Sequence, residues 1–210
     1  MPAMAAPRDA SNGWRRSPSS TPSRSRLLGR CNRLEEPVTV YVALLRAINV
    51  GGTGKLPMTT LKAICKELGF SDVQTYIQSG NVLFRSDERE AEVEQKLDDA
   101  LGKVLGKKPG VMLRSRKELE AIVANAPFRD AKPNYLLVSF LPEAAQNDAL
   151  DAMVAPDGEE AVLAGREIYV HFPIGSGKSK LKLPALKPGT ARNLNTVRKL
   201  AEMAWAMEDR

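Results

Sequence analysis

Two glycine- and lysine-bearing blocks, Gly51-Gly-Thr-Gly-Lys55 and Gly175-Ser-Gly-Lys-Ser-Lys180, have the residue types that bind phosphate. Glycine lets backbone N–H groups approach an anion, and lysine supplies charge. Neither has P-loop spacing: five residues before Gly54 stands Asn49, with Leu56 after the lysine, and five before Gly177 stands Phe172. The first block keeps a weaker pattern of strand, glycine loop and helix start, which suits an anion and equally a tight connection. A third feature is electrostatic. Between Ile168 and Ala201 there is no acidic residue, while Lys178, Lys180, Lys182, Lys187, Arg192, Arg198 and Lys199 are all cationic. If Thr190 caps the last helix, Arg192 and Asn193 fall in its first turn, where a cation opposes the helix dipole unless an anion or a carboxylate is near. A solvated basic face is the alternative.

Other chemistries find little support. His171 is the single histidine, so no multi-histidine metal site exists, and any Ser-His-Asp or Cys-His mechanism would run through that residue. It falls late in a predicted strand and reads as an ordinary sheet residue. Cys65 lies on an apolar helix face and reads as core. Asp98-Asp99 and Glu159-Glu160 have no second carboxylate at a catalytic spacing. No catalytic constellation, metal or cofactor is expected, and the chain reads more as a binding or interaction domain than as an enzyme, whose chemistry would need Lys55, Lys180 or a carboxylate with a shifted pKa inside a cleft.

The elements that must position these residues begin at Val38. Val38 to Leu45 is apolar on both faces, as in a central strand. Pro57 opens a helix with Leu61, Ile64, Cys65 and Leu68 on one face, ended by Gly69. Residues 73–77 and 81–85 form a hairpin about Ser79-Gly80. Val93, Leu97, Ala100, Leu101 and Val104 mark a second helix, and residues 111–114 a fourth strand. The order βαββαβ predicts a ferredoxin-like subdomain over residues 38–115. Ser115 and Glu118 form a capping box for the next helix. Residues 135–141 then read as a strand, 142–153 as a helix, 161–164 and 168–172 as a hairpin, and 190 onward as a final helix capped by Thr190. Residues 116–210 are therefore a second, related β-α-β-β-α subdomain, and the fold class is α+β with two packed subdomains. Trp205, with Met203 and Met207, reads as core packing at the end of that helix.

The chain has 210 residues, 43% hydrophobic, with a net charge of +6. Seven arginines against three acids place +4 of it within residues 1–36, a Ser/Pro/Arg-rich stretch without periodicity that should be a disordered tail over 1–37. Two cysteines exclude a disulfide scaffold, and no apolar run is long enough to span a membrane. A cytoplasmic protein is expected. The topology is shared with RNA-recognition modules and the pI is 9.4. Nucleic acid is nevertheless a weak expectation: aromatics are only 5%, and Asn81-Val-Leu-Phe-Arg-Ser86 lacks the K/R-G-F/Y-G/A-F pattern.

Several blocks together, Ala43-Leu-Leu-Arg-Ala-Ile-Asn-Val-Gly-Gly52, Thr75-Tyr-Ile-Gln-Ser-Gly-Asn-Val82, Asn125-Ala-Pro-Phe128, Ser179-Lys-Leu181 and Thr190-Ala-Arg-Asn-Leu-Asn-Thr-Val197, resemble the bacterial family called domain of unknown function 1697. The resemblance spans about residues 40–200 and implies two packed α+β subdomains, with no established activity, substrate or cofactor. Leu194 departs from the family, which usually has Trp there. The blocks are polar and glycine-containing: Arg46, Asn49, Gly51, Gly52 and Lys55; Gln78, Ser79, Gly80 and Asn81; Ser179 and Lys180; Arg192, Asn193 and Thr196. Two readings follow. These residues converge on a groove between the halves that holds an anionic small molecule, a nucleotide or phosphorylated metabolite, or they form a hydrogen-bond network joining the halves of a protein or nucleic-acid interaction module.

Overall fold

The computed structural model describes residues 38–49 and 55–208. The expected tail over residues 1–37, and the candidate residues Gly51 and Gly52, lie outside the described residues. Among the described residues the fold is α+β, with two four-stranded antiparallel sheets and four α-helices, in line with two packed subdomains.

The first sheet contains β1 (Thr39–Leu45), β2 (Ser71–Tyr76), β3 (Asn81–Ser86) and β4 (Val111–Ser115), in the order β2-β3-β1-β4. β1 pairs with β3 and β4 on its two sides and is buried on both faces. Its period of two divides the protein. Tyr41, Ala43 and Leu45 pack with α1 (Met58–Glu67) and α2 (Glu90–Leu105), while Val40, Val42 and Leu44 join a core with α3 (Arg116–Ala124), α4 (Leu194–Glu208) and the second sheet.

That second sheet, in the order β6-β7-β5-β8, contains β5 (Leu136–Phe140), β6 (Glu160–Ala164), β7 (Glu167–His171) and β8 (Thr190–Asn193). Leu136, Val138, Phe140 and Tyr169 face the shared core. Ile168, Val170 and Phe172 face a smaller cluster closed by Leu150, Met153, Leu181 and Leu183 from the connecting segments.

Three expectations are corrected. Residues 142–153 form turns instead of a helix: Ala149, Asp151 and Met153 donate to carbonyls three residues back, and Ala145 donates to Gly165. The apolar positions Ala145, Leu150 and Met153 are five and three apart, too irregular for a helical stripe. Thr190 is not a helix cap, because residues 190–193 form β8 against β5 and α4 starts at Leu194. The cap is Asn193, whose Oδ1 accepts from the Thr196 N–H at 2.9 Å. Trp205 is 54% exposed, lying beside the buried stripe of Val197, Leu200, Ala201, Ala204 and Met207.

The capping box at α3 forms as expected, with Glu118 Oε2 accepting from the Ser115 N–H at 2.7 Å and its hydroxyl at 2.8 Å. Partial burial raises the Glu118 pKa, but the Ser115 bonds and the Arg166 guanidinium outweigh it and hold the carboxyl below its ordinary 4.5. A folded-state pKa below the unfolded value adds stability above the unfolded pKa that is lost as pH falls through the folded one. In urea titrations Glu118→Gln should cost about 0.5–1 kcal/mol at neutral pH, the size of a screened, half-exposed ion pair. The gap between variant and parent should close as the pH drops below 4.5. A gap unchanged at acid pH would show that the charge contributes nothing.

Candidate functional site

Part of the set singled out by type and spacing, namely Arg46, Asn49, Gln78, Ser79, Gly80, Asn81 and Arg192, meets at the C-terminal end of β1. Asn49 closes the loop that follows β1: its Nδ2 donates to Leu56 O at 3.0 Å and Gln78 O at 2.8 Å, and its Oδ1 accepts from the Leu56 N–H at 2.9 Å. That loop is thereby joined to the β2–β3 turn. Asn81, fully buried, reaches back into the turn, donating to Tyr76 O and Ser79 Oγ at 3.0 Å each.

Arg192 enters this cluster from β8. Its Nε donates to Asn81 Oδ1 at 2.6 Å, and its Nη1 to Thr190 Oγ1 and Ala191 O at 2.8 Å. Nη2 donates to Ser79 O at 2.8 Å, Leu45 O at 3.0 Å and Gly80 O at 3.4 Å. All five guanidinium N–H groups therefore have protein acceptors. No carboxylate is among these acceptors, and burial pushes the pKa down to about 10, which leaves the group charged at neutral pH. Gly80 lets the β2–β3 turn lie close against the end of β1: its φ is +77°, and a Cβ there would stand 3.0 Å from Leu45 Cβ and 3.1 Å from Ile48 Cβ.

The polar set thus separates by exposure. Asn81, Arg192 and Thr196 are buried, while Arg46, Asn49, Lys55, Gln78 and Lys180 are exposed. Arg46 borders the seam, with Nη1 donating to Lys187 O and Pro188 O at 3.3 Å. Ser179 and Lys180 bond a different group. The Ser179 hydroxyl donates to Glu159 Oε1, which together with the Asp157 N–H holds that carboxyl below its usual range, and the Lys180 N–H donates to Asp157 Oδ2 at 3.3 Å. Asn193 and Thr196 start α4.

Beside the seam lies a shallow cleft of about 140 Å³ lined by Arg46, Ala47, Ile48, Leu105, Lys107, Lys108 and Pro109. It carries three cations, one of which, Lys108, is paired with Asp99. The backbone here is strained: Ala47, Asn49 and Ile77 have φ of 52°, 55° and 49°. Such conformations cost non-glycine residues energy and concentrate at functional sites, most notably for a β-branched residue such as Ile77.

Sequence reasoning missed a second junction between the subdomains. Arg114 is 1% exposed; its Nε meets Glu167 Oε1 at 2.6 Å and its Nη2 meets Leu141 O and Arg166 O at 3.0 and 3.1 Å. Its guanidinium also lies 5.6 Å from the Phe140 ring centroid. Arg166 in turn bridges Glu90 and Glu118. The available signal was an arginine inside the apolar run Val111-Met-Leu-Arg114.

Among the described residues no group of three or more His, Cys, Asp or Glu could hold a metal, and no helix is long and apolar enough to cross a membrane. Burial pushes the Cys65 thiol up to about 12, an inert state for a core cysteine.

The class defined by this geometry is an α+β protein of two sheets joined through buried arginines. The model of the family described as Protein of unknown function (DUF1697) matches residues 38–169, and the chain belongs to that family. Leu194, where the motif block departs from the usual Trp, is a core residue 3% exposed. A solved structure of the conserved bacterial protein SP0830 from Streptococcus pneumoniae is similar, with 28% identity and a TM-score of 0.66 over 80% of this chain and 99% of that one. No curated protein matches the chain.

Proposed function

We propose that the protein binds an anionic small molecule, a nucleotide or phosphorylated metabolite, through the basic cleft at the margin of the seam. The observation that carries this reading is the convergence of Arg46, Lys107 and Lys108 on one cleft with no carboxylate in its lining. Its volume is below the roughly 300–1,000 Å³ of small-molecule pockets, so it takes the phosphate end and leaves the remainder of the ligand outside. Strained, exposed backbone at Ala47 and Asn49, next to Arg46 and Ile48 of the cleft, supports a binding role for residues 46–49. Asn81 and Arg192 act indirectly, holding the end of β1 and the β2–β3 turn in place.

This reading treats residues 38–115 as a ferredoxin-like subdomain and 116–210 as its partner. The antiparallel order β2-β3-β1-β4, with α1 and α2 packed in one core, supports the first assignment. A second reading, an interaction module whose polar motifs are structural, is favoured by the saturation of Arg192 with protein acceptors.

Thermal unfolding of the full chain with inorganic phosphate, tripolyphosphate, AMP and ATP tests the proposal. A ligand at about 100 times its dissociation constant should stabilise by about 2.7 kcal/mol. Lys107→Gln with Lys108→Gln should abolish that shift while costing the unliganded protein little, because the ion pair lost, Lys108 with Asp99, is exposed. No shift with any of the four, or an equal shift in the double variant, rejects the cleft and favours the interaction module.

A further inference from the structure

Two four-stranded sheets have four edges, and three of these are protected. β2 is irregular, with a register shift between Ser71 and Gln74 and Asp72 at a φ of 51°. β4 has four of its five residues buried. β8 is four residues long and is fastened to the first sheet by Thr190 and Arg192. β6 has none of these protections. It keeps continuous register with β7 from Glu160 to Ala164, has no buried residue, and contains neither Lys nor Pro. No described residue donates to or accepts from its outer side. A straight, open edge of this kind is a template for another strand.

The register shows which groups are free. The two-residue turn Gly165-Arg166 makes Ala164 and Glu167 a hydrogen-bonded pair, so by alternation Val162 and Tyr169 are another. The N–H and C=O of Ala161 and Leu163 therefore point away from β7. We propose that β6 pairs antiparallel with β6 of a second copy of this chain, about a two-fold axis through Val162, joining the two β6-β7-β5-β8 sheets into one.

The edge is complementary to itself. Ala161 of each copy exchanges backbone bonds with Leu163 of the other, and Val162, 38% exposed, faces its own counterpart in a close non-hydrogen-bonded pair. Glu160 lies opposite Ala164 of the other copy, so no like charges face each other across the pairing. An interface confined to strand edges belongs to the small, weak class, so the dimer is concentration-dependent.

Light scattering of the full chain from low micromolar to several hundred micromolar should show the mass rising from 22.9 kDa toward twice that value. Val162→Lys, which sets like charges face to face, should remain monomeric throughout with an unchanged melting temperature. In a Cys31→Ser background, Val162→Cys should form a disulfide-linked dimer on mild oxidation, because the paired Cα atoms stand about 4.5 Å apart across such a pair. Leu163→Cys should not, because each Leu163 faces Ala161. A parent chain that is monomeric at every concentration, a dimer that survives Val162→Lys, or equal cross-linking by both cysteine variants overturns the proposal.

Discussion

Arg192→Ala should be the most damaging single substitution at the seam, lowering the unfolding free energy by roughly 3–5 kcal/mol. The loss has two parts. The guanidinium's bonds disappear, and Asn81 Oδ1 and the carbonyls of Leu45, Ser79 and Gly80 are left in a site with little access to water. For a chain of this length each kcal/mol moves the melting temperature by about 2–4 °C, so a fall of roughly 6–20 °C is expected. Arg192→Lys should recover little, since an ammonium group has three donors and no planar fork to span Asn81, Thr190 and the turn at once. Urea denaturation of parent and variants checks this. A loss below about 1 kcal/mol would mean that the site relaxes or hydrates freely, and that Arg192 does not join the halves.

Arg114→Met should be nearly as costly, about 3–5 kcal/mol, because it strands Glu167 against the second sheet. Here the paired substitution is the more informative experiment. Arg114→Met combined with Glu167→Leu should be distinctly more stable than Arg114→Met alone, because replacing both partners of a buried ion pair by apolar groups removes the uncompensated charge. The carbonyls of Leu141 and Arg166 lose their donor in both cases, so recovery should be incomplete. A double-mutant cycle with no coupling would show that Glu167 is solvated well enough to stand alone.

The two junctions also explain why the seam was only partly legible in the sequence. By sequence Arg192 reads as a cation out of place in a helix's first turn, which picks out the right residue but puts it in the wrong element. Its actual setting is a strand, with its N–H groups taken up by carbonyls, one amide and the Thr190 hydroxyl. Its partner Asn81 is 111 residues away, and Glu167 is 53 residues from Arg114. No local pattern encodes such pairings. The exposed members of the same motifs, Arg46, Lys55 and Gln78, are indistinguishable by type from the buried ones. Exposure, the property that separates a ligand-facing group from a structural one, belongs to the packed chain.

Local chemistry in the chain itself determined most of the elements. β1 is apolar at consecutive positions, so it had to be covered on both faces. The apolar stripes of α1 and α2 recur at helical spacing, and the Ser115/Glu118 box closes within four residues. These are short-range effects of side-chain periodicity and hydrogen bonding, readable wherever neighbours in sequence are also neighbours in space. Tertiary structure alone decided that residues 142–153 stay in turns, that residues 190–193 add a strand to the second sheet, and that β6 is without a backbone partner on its outer side among the described residues. Residues 190–193 pair with β5 and Ala145 donates to Gly165, partners that are distant in sequence, and the free energy of satisfying them outweighs the weak preferences of the segments themselves.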